Sequence, residues 1–513
     1  MKRSGYLGID AGTQGLSVIF TDDEMRILAT GDGAYEMVPG LAPECYEQHP
    51  GDWERALGVA MADLRAKLAA AKVDPDVRAI GISAQMHGEV LADELGRSLG
   101  PARLWCDARN EAEGHELTDR LGVKMPKRIT AARWLWTIRN QPEKAAKVAH
   151  ITTPAGWIAF RLTGRWNLGI GDAAGMFPID QKTLNYDAKL LADFDALVAG
   201  AKKSSVRPLG DLLPKVCRAG EDGGVLDAHG ASVLGLPAGI PVAPAEGDQP
   251  AALAGSLIGR AGMVAMSFGT SVVANSVGDR AFRGIATAID HFCAPDGKPI
   301  NMVFLRNGTT PMNTVMEMFG QVAGGDRGAG FAAVMPQVLA APDDCGGLLA
   351  LPFMDDEPGL GVSRGGTACV VGFNGANATP GNVAKAMLLA TMFNLRVGSD
   401  LLDAQGYPRS EIILSGGLTK TPALGQILAD VFNTPVTILD GAAEGTAWGA
   451  ALMAKYRAES LAGGASDWQT FLASHASGKP ARFSPRPASV ATYGRLYDRY
   501  RKLVALQGRL HVE

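Results

Sequence analysis

Asp10 is the third residue of the run GIDAGTQG (residues 8–15), where a carboxylate stands two residues ahead of Gly12, and Thr13 and Gln14 follow. Glycine in a tight turn lets backbone N–H groups approach an anion with no side chain in the way, and the threonine hydroxyl adds a donor. An acid beside such a turn suits a hydrated Mg²⁺ held against phosphate oxygens, because magnesium keeps several waters and takes one or two carboxylates. The same residues also read as a structural turn with an exposed acid.

A second acid, Asp248, lies in VAPAEGDQPAALAG (242–255), where a strand ends at a glycine and Pro250 stands where a helix begins. It reads either as the N-cap of that helix or as an acid kept ionised by the helix N-terminus, able to accept a hydroxyl proton in phosphoryl transfer. Gln85, Met86 and His87 sit in GISAQMHGEVLAD (81–93), a strand emptying into a polar loop. Amide and imidazole groups bond sugar hydroxyls and a methionine packs on a carbon skeleton; a lone surface histidine is the plainer reading. LWCDARN (104–110) adds Trp105 as an apolar face or a core residue, and Asp107 as an acceptor. In ILSGGLTKTPALGQILADV (413–431), Gly416 and Gly417 lay backbone bare where a flat base or its ribose could pass, with a helix N-terminus facing the anion.

The elements that must carry these residues alternate. RAIGIS (78–83), IPVAPA (240–245), EIILSG (411–416) and PVTILD (435–440) read as short strands, and 52–71 and 422–433 as helices. This is an α/β pattern. GYLGI and LSVIF around the first Gly-Thr pair predict strand, turn, strand. VAMSFGTSVVANSV (264–277) repeats LGIDAGTQGLSVIF (7–20) half a chain length later, with a second pair, Gly269 and Thr270. Either the two halves are duplicates carrying one phosphate-holding turn each, or the echo is chance. No G-x-x-x-x-G-K-[ST] occurs, and GIGDAAG (169–175) misses the dinucleotide fingerprint by one residue and lacks a convincing strand before it.

Composition narrows the classes. The 513 residues are 47% hydrophobic and 20% charged, ordinary for a globular chain of several domains. A net charge of −4 supplies no basic footprint for nucleic acid or an anionic membrane. The 6 cysteines are scattered with no C-x-x-C, which speaks against a disulfide framework and a zinc site and for a reducing, cytoplasmic setting. The N-terminus reaches Asp10 too soon for a signal-peptide core, and the uncharged stretch 261–278 reads as strand, turn, strand, not a membrane span.

The ordered set GIDAGTQG, ISAQMHG, LWCDARN, TAARWLW (130–136), GDAAGMFPID (171–180), GDQPAALAG, SFGTS (267–271) and SGGL resembles the FGGY carbohydrate kinases, most closely the xylulokinases, over residues 5–456. The resemblance implies an α/β fold of two actin-like (ribonuclease-H-like) domains around a central cleft, with a sugar-binding domain over 1–255 and an ATP-binding domain over 256–513. It implies ATP and Mg²⁺ as cofactors, and a small sugar and ATP as partners, a homodimer being left open. Asp248 matches the family's catalytic base, and Met86 with His87 its sugar-contacting pair. Asp10, Gly12 and Thr13 match the first phosphate loop, Gly269 and Thr270 the second, and Gly416 with Gly417 the adenosine site. The implied reaction is phosphorylation of a ketopentose, D-xylulose at its 5-hydroxyl, with another polyol or ketose as the alternative and an actin-like nucleotide switch as the reading outside the class. The chain departs from the xylulokinases at Gln249, where Asn is usual and glycerol kinases carry Gln; at Ala132 and Arg133, where Pro-Lys is frequent; and at 351–366, which lacks the usual Gly-Glu-Arg.

Overall fold

The computed structural model describes residues 2–200, 206–439, 445–476 and 478–510. It forms two compact units: Met1–Gly259 with His291–Ile300 and Glu444–Ala476, and Arg260–Asp290 with Asn301–Ala443 and Ser477–Glu513.

The first unit is built on a five-stranded mixed sheet in the order Glu246–Gly247, Asp74–Ala84, Lys2–Ala11, Gly15–Asp22, Ile27–Ala34. Lys2–Ala11 and Gly15–Asp22 form a hairpin with Leu7 opposite Phe20. Lys2–Ala11 is also parallel to Asp74–Ala84, which is parallel in turn to Glu246–Gly247. Alternation along the first strand separates two faces. Leu7, Ile9 and Ala11 join the core that contains Trp53, Leu57 and Leu64 of the helix Pro50–Ala70. Tyr6 points the other way into a core with Trp448, Ala450, Ala451 and Leu452 of the helix Gly445–Leu461.

That helix, late in the sequence, belongs to the first unit because two strand glycines let it sit directly on the backbone. A Cβ on Gly8 would come 2.0 Å from the Ala447 carbonyl oxygen, and one on Gly81 would come 1.8 Å from that of Ala450. Gly449 fits the same way against the Ala251 carbonyl, at 1.9 Å. A single cut after residue 255 therefore does not divide the units.

The second unit carries a seven-stranded sheet in the order Ile289–Cys293, Pro299–Leu305, Val272–Val277, Met263–Phe268, Glu411–Gly416, Val436–Ile438, Ala481–Phe483. Its centre repeats the first: an antiparallel hairpin, a strand parallel to the hairpin's first member, and a further parallel strand. The echo of 7–20 in 264–277 is thus a repeat of topology, and each copy puts its Gly-Thr pair at the hairpin turn.

Several elements differ from the sequence expectation. IPVAPA (240–245) makes only isolated bridges, Val242 to Ile80 and Pro241 to Val225, and the ladder becomes regular only at Glu246–Gly247. Pro241 and Pro244 have no N–H to give it. GIGDAAG does follow a strand, the short Asn167–Gly169. PVTILD narrows to Val436–Ile438, and residue 440 lies outside the described residues. The helix expected over 422–433 is Leu424–Phe432, preceded by a 3₁₀ turn Gly417–Lys420 and ended by Asn433 at φ 47°. No helix among the described residues is long and apolar enough to cross a membrane, and 261–278 is the hairpin.

Candidate active site

The turn after Asp10 is tied from three directions. Gly12 N–H donates to the Gly15 carbonyl at 2.9 Å, and the Tyr35 hydroxyl donates to the carbonyls of both Gly12 and Gly15. The Gln48 amide donates to the Thr13 carbonyl at 2.8 Å, and the Trp105 indole N–H reaches Thr13 Oγ1 at 3.2 Å. Gln14 is exposed at the tip. Asp10 shares the sheet face of Tyr6 and Gly8, which brings it hydroxyls from two directions: Ser83 Oγ donates to Oδ1 at 2.9 Å and Thr446 Oγ1 donates to Oδ2. Burial raises its carboxyl above the usual range, against these two hydrogen bonds.

Asp248 is the first residue of the helix Asp248–Gly255; the N-cap is Gly247. The carboxyl accepts the backbone N–H groups of Gln249 and Met86, yet it is pushed up to about 7, first by burial and then by the carboxylates of Asp10 and Asp172. The helix N-terminus does not win here, contrary to an acid held firmly ionised. Gln249 follows it, partly exposed. Gly247 is needed beside Asp248, because a Cβ there would lie 2.1 Å from Met86 Cγ. Met86 and His87 are both buried. His87 holds a left-handed backbone at φ 64°, which few non-glycine residues adopt without support. The support is visible: its carbonyl accepts Arg133 Nη1 at 2.8 Å and Thr130 Oγ1 at 3.3 Å, and its ring stacks on Phe292 at 5.0 Å. Burial, with Arg128 and Arg133 nearby, holds the imidazole well below its ordinary pKa and therefore neutral.

Two further acids, which the sequence reading left unassigned, complete this group. Asp172 is fully buried, accepts Thr153 Oγ1 on Oδ2 at 2.6 Å, and is pushed up to about 7 by burial. Glu246 accepts the N–H groups of Gly171 at 3.1 Å and Asp172 at 2.8 Å, and burial pushes it up to about 8. Their only sequence signal was position, Asp172 inside the motif at 171–180 and Glu246 two residues before Asp248.

Not every candidate joins the group. Gln85 lies at the edge of the Gly12–Thr13 turn: its N–H donates to the Ala11 carbonyl and its amide to Gln48 Oε1, both at 2.8 Å. Asp107 is fully buried with both oxygens taken, by Tyr46 N–H at 2.9 Å and by the Arg109 guanidinium and N–H. Trp105 is 42% exposed, so it is not the core residue its sequence also allowed.

In the second unit, Gly269 N–H donates to the Ser271 carbonyl at 2.9 Å, and the next layer pins the turn through Gly308 N–H to Thr270 and Thr309 N–H to Gly269. Gly416, at φ 79°, leaves the strand where a Cβ would meet the Phe268 carbonyl oxygen at 2.5 Å. Gly417 opens onto a cavity of about 700 Å³ whose apolar wall includes Met312, Phe331, Met335 and Leu418. Asn313, Arg327 and Lys420 supply polar groups at its margin. Apart from the residues of 413–431, these walls carry no motif that marks them in the sequence.

The FGGY family of carbohydrate kinases matches residues 5–255 by its N-terminal domain and 264–458 by its C-terminal domain. The chain belongs to this family. It is a carbohydrate kinase of xylulokinase-like type. A xylulose kinase of Haemophilus influenzae is 28% identical over 469 residues, spanning 88% of this chain and 90% of that protein. The crystal structure of a xylulose kinase from Rhodospirillum rubrum superposes with a TM-score of 0.82 at 22% identity, covering 99% of this chain and 100% of the other. A Plasmodium falciparum glycerol kinase with ADP gives 0.80 at 19% identity over 98% of each chain. At these identities the structural likenesses establish the fold, actin-like and α/β, and leave the sugar open.

Proposed function

We propose that this kinase transfers the γ-phosphoryl group of ATP to a ketopentose, D-xylulose at its 5-hydroxyl. The observation that carries the reading is Asp248: a carboxyl at a helix start, poised near neutrality at about 7 and accepting the backbone N–H of Met86. A base of that pKa accepts the hydroxyl proton as the new O–P bond forms, while the bond from the γ-phosphorus to the ADP oxygen breaks. Met86 offers the carbon skeleton an apolar contact, and neutral His87 offers a hydroxyl a ring nitrogen. The units then divide the work, sugar and base in the first, nucleotide in the second, where the cavity beside Gly417 suits a base with apolar faces and a polar edge. The Gly12–Thr13 and Gly269–Thr270 turns offer backbone and hydroxyl donors to phosphate oxygens.

The residues also fit Mg²⁺. Asp10 is a buried acid whose charge is unfavourable next to Asp248, and a cation there relieves both. Asp10 would hold the ion through waters, and the ion would supply charge neutralisation on the phosphates.

The test is ADP release with a panel of ketopentoses, hexuloses, glycerol and sugar acids. D-xylulose is expected to give the highest kcat/KM, and Asp248→Asn, nearly isosteric, to lose about two to four orders of magnitude with the fold intact. Preference for glycerol would shift the weight from Met86 and His87 to Gln249. Retention of more than about a tenth of the rate in Asp248→Asn would make Asp248 structural.

A further inference from the structure

Two buried polar atoms of the first unit face each other with no other partner among the described residues: His87 Nδ1 and Asp172 Oδ1, 3.8 Å apart. Nδ1 is the inner ring nitrogen. A Cβ on Gly175 would lie 1.7 Å from it, so backbone closes that side and Nε2 is the nitrogen left for a ligand. Asp172 is fastened around its free oxygen: Oδ2 takes the Thr153 hydroxyl, and the backbone N–H is held by Glu246. A buried polar atom left without a partner is destabilising, so each has reason to find one. The 3.8 Å gap is a modest side-chain rotation from a hydrogen bond.

We propose that Asp172 is the positioning residue of His87, its free oxygen taking the Nδ1 proton so that Nε2 meets a sugar hydroxyl as an acceptor. The inference rests on the reading of His87 as a sugar contact, and it makes the site selective for a hydroxyl that donates at that point. The partner of one imidazole nitrogen fixes the tautomer and so the role of the other.

The local donors make the conservative variant informative. Thr153 Oγ1 accepts Gly156 N–H at 3.2 Å and gives its own proton to Asp172 Oδ2. In Asp172→Asn the amide oxygen keeps that bond and the amide N–H₂ faces Nδ1. His87 then carries its proton on Nε2, and the group offered to the sugar changes from acceptor to donor.

The experiment is ¹⁵N NMR of histidine-labelled full-length protein without ligands at pH 8, where Asp172, at about 7, is mostly ionised. His87 is assigned by the signals missing in His87→Gln. The wild type is expected in the Nδ1–H form and Asp172→Asn in the Nε2–H form. With the best sugar of the panel, Asp172→Asn should raise KM about tenfold or more, with a much smaller change in kcat and none in KM for ATP. An Nε2–H wild type overturns the proposal even if the variant fails to fold; so does the same tautomer in both proteins, or an unchanged KM for the sugar. If no sugar in the panel is phosphorylated, the substrate reading fails while the tautomer comparison still decides the role of Asp172.

Discussion

Asp172, Glu246 and Asp248 are held up at about 7, about 8 and about 7 by their burial, so the first unit binds protons near neutrality that its unfolded chain does not. The three lie close enough to titrate as a set, and their values belong to the set. Unfolded, they ionise near 3.9 for Asp and 4.3 for Glu. A raised folded pKa gives a contribution to stability that is full below about pH 4 and is lost as pH rises through about 7 to 8. Thermal unfolding in metal-free buffer should therefore show Tm falling from about pH 5.5 to about pH 8.5, with a smaller fall in Asp172→Asn. A Tm that rises across that window would mean these acids are already ionised in the folded protein. Activity runs the other way: the base must be unprotonated, so kcat/KM should climb through about pH 7. At this scale the sequence singled out Asp248 and His87, the one at a helix start behind a glycine and the other in a polar loop after a strand. It hid Asp172, an acid among alanines and glycines whose partner lies far off in the chain.

Glycines decide how the elements pack, and position alone separates those that matter from those that do not. Gly81 sits in the strand Asp74–Ala84 with the Ala450 carbonyl oxygen 1.8 Å from where a Cβ would be, and a backbone atom of a helix cannot turn aside. Gly58 sits in the helix Pro50–Ala70 with nothing within 4 Å of its own Cβ position. Gly81→Ala is expected to lower unfolding free energy by about 1 to 3 kcal/mol or more, as overpacking does. Gly58→Ala should raise it by about 0.5 to 1 kcal/mol through helix propensity. Denaturant titration of the two variants checks the contrast, and equal effects would mean the helix Gly445–Leu461 is free to move off the strand. The elements were legible where local pattern controls them, as in the hairpins and in Glu411–Gly416. The helix expected over 422–433 is there as Leu424–Phe432, stopped by Asn433; the misreading is at 240–245, where Pro241 and Pro244 lack a backbone donor.

The two main sheets share one central plan, which the sequence showed as an echo of a single hairpin, while the assignment of late segments to the early unit was beyond it. The helix Gly445–Leu461 was not singled out in the sequence, and the glycines at 8 and 81, far away in the chain, say what it lies on. This exchange makes the first unit dependent on the chain's last third. Without Gly445–Leu461 and the segment Trp468–Ser474, the face of Tyr6, Ile19, Ala79, Ala251 and Ala254 loses Trp448, Leu452, Trp468 and Phe471. It also loses the Trp448 indole hydrogen bond to the Met25 carbonyl, at 2.9 Å, and the Thr446 hydroxyl on Asp10. Full burial of side chains of that size stabilises by roughly 1.5 to 3 kcal/mol each, against a total stability of about 5 to 15 kcal/mol for a typical protein. A fragment of residues 1–259 should therefore show no cooperative thermal transition by circular dichroism. The same fragment joined through a flexible linker to residues 445–476 should regain one. If 1–259 melts cooperatively near the temperature of the joined fragment, the helix is an accessory to a unit that folds without it, and the glycines at 8 and 81 need another explanation.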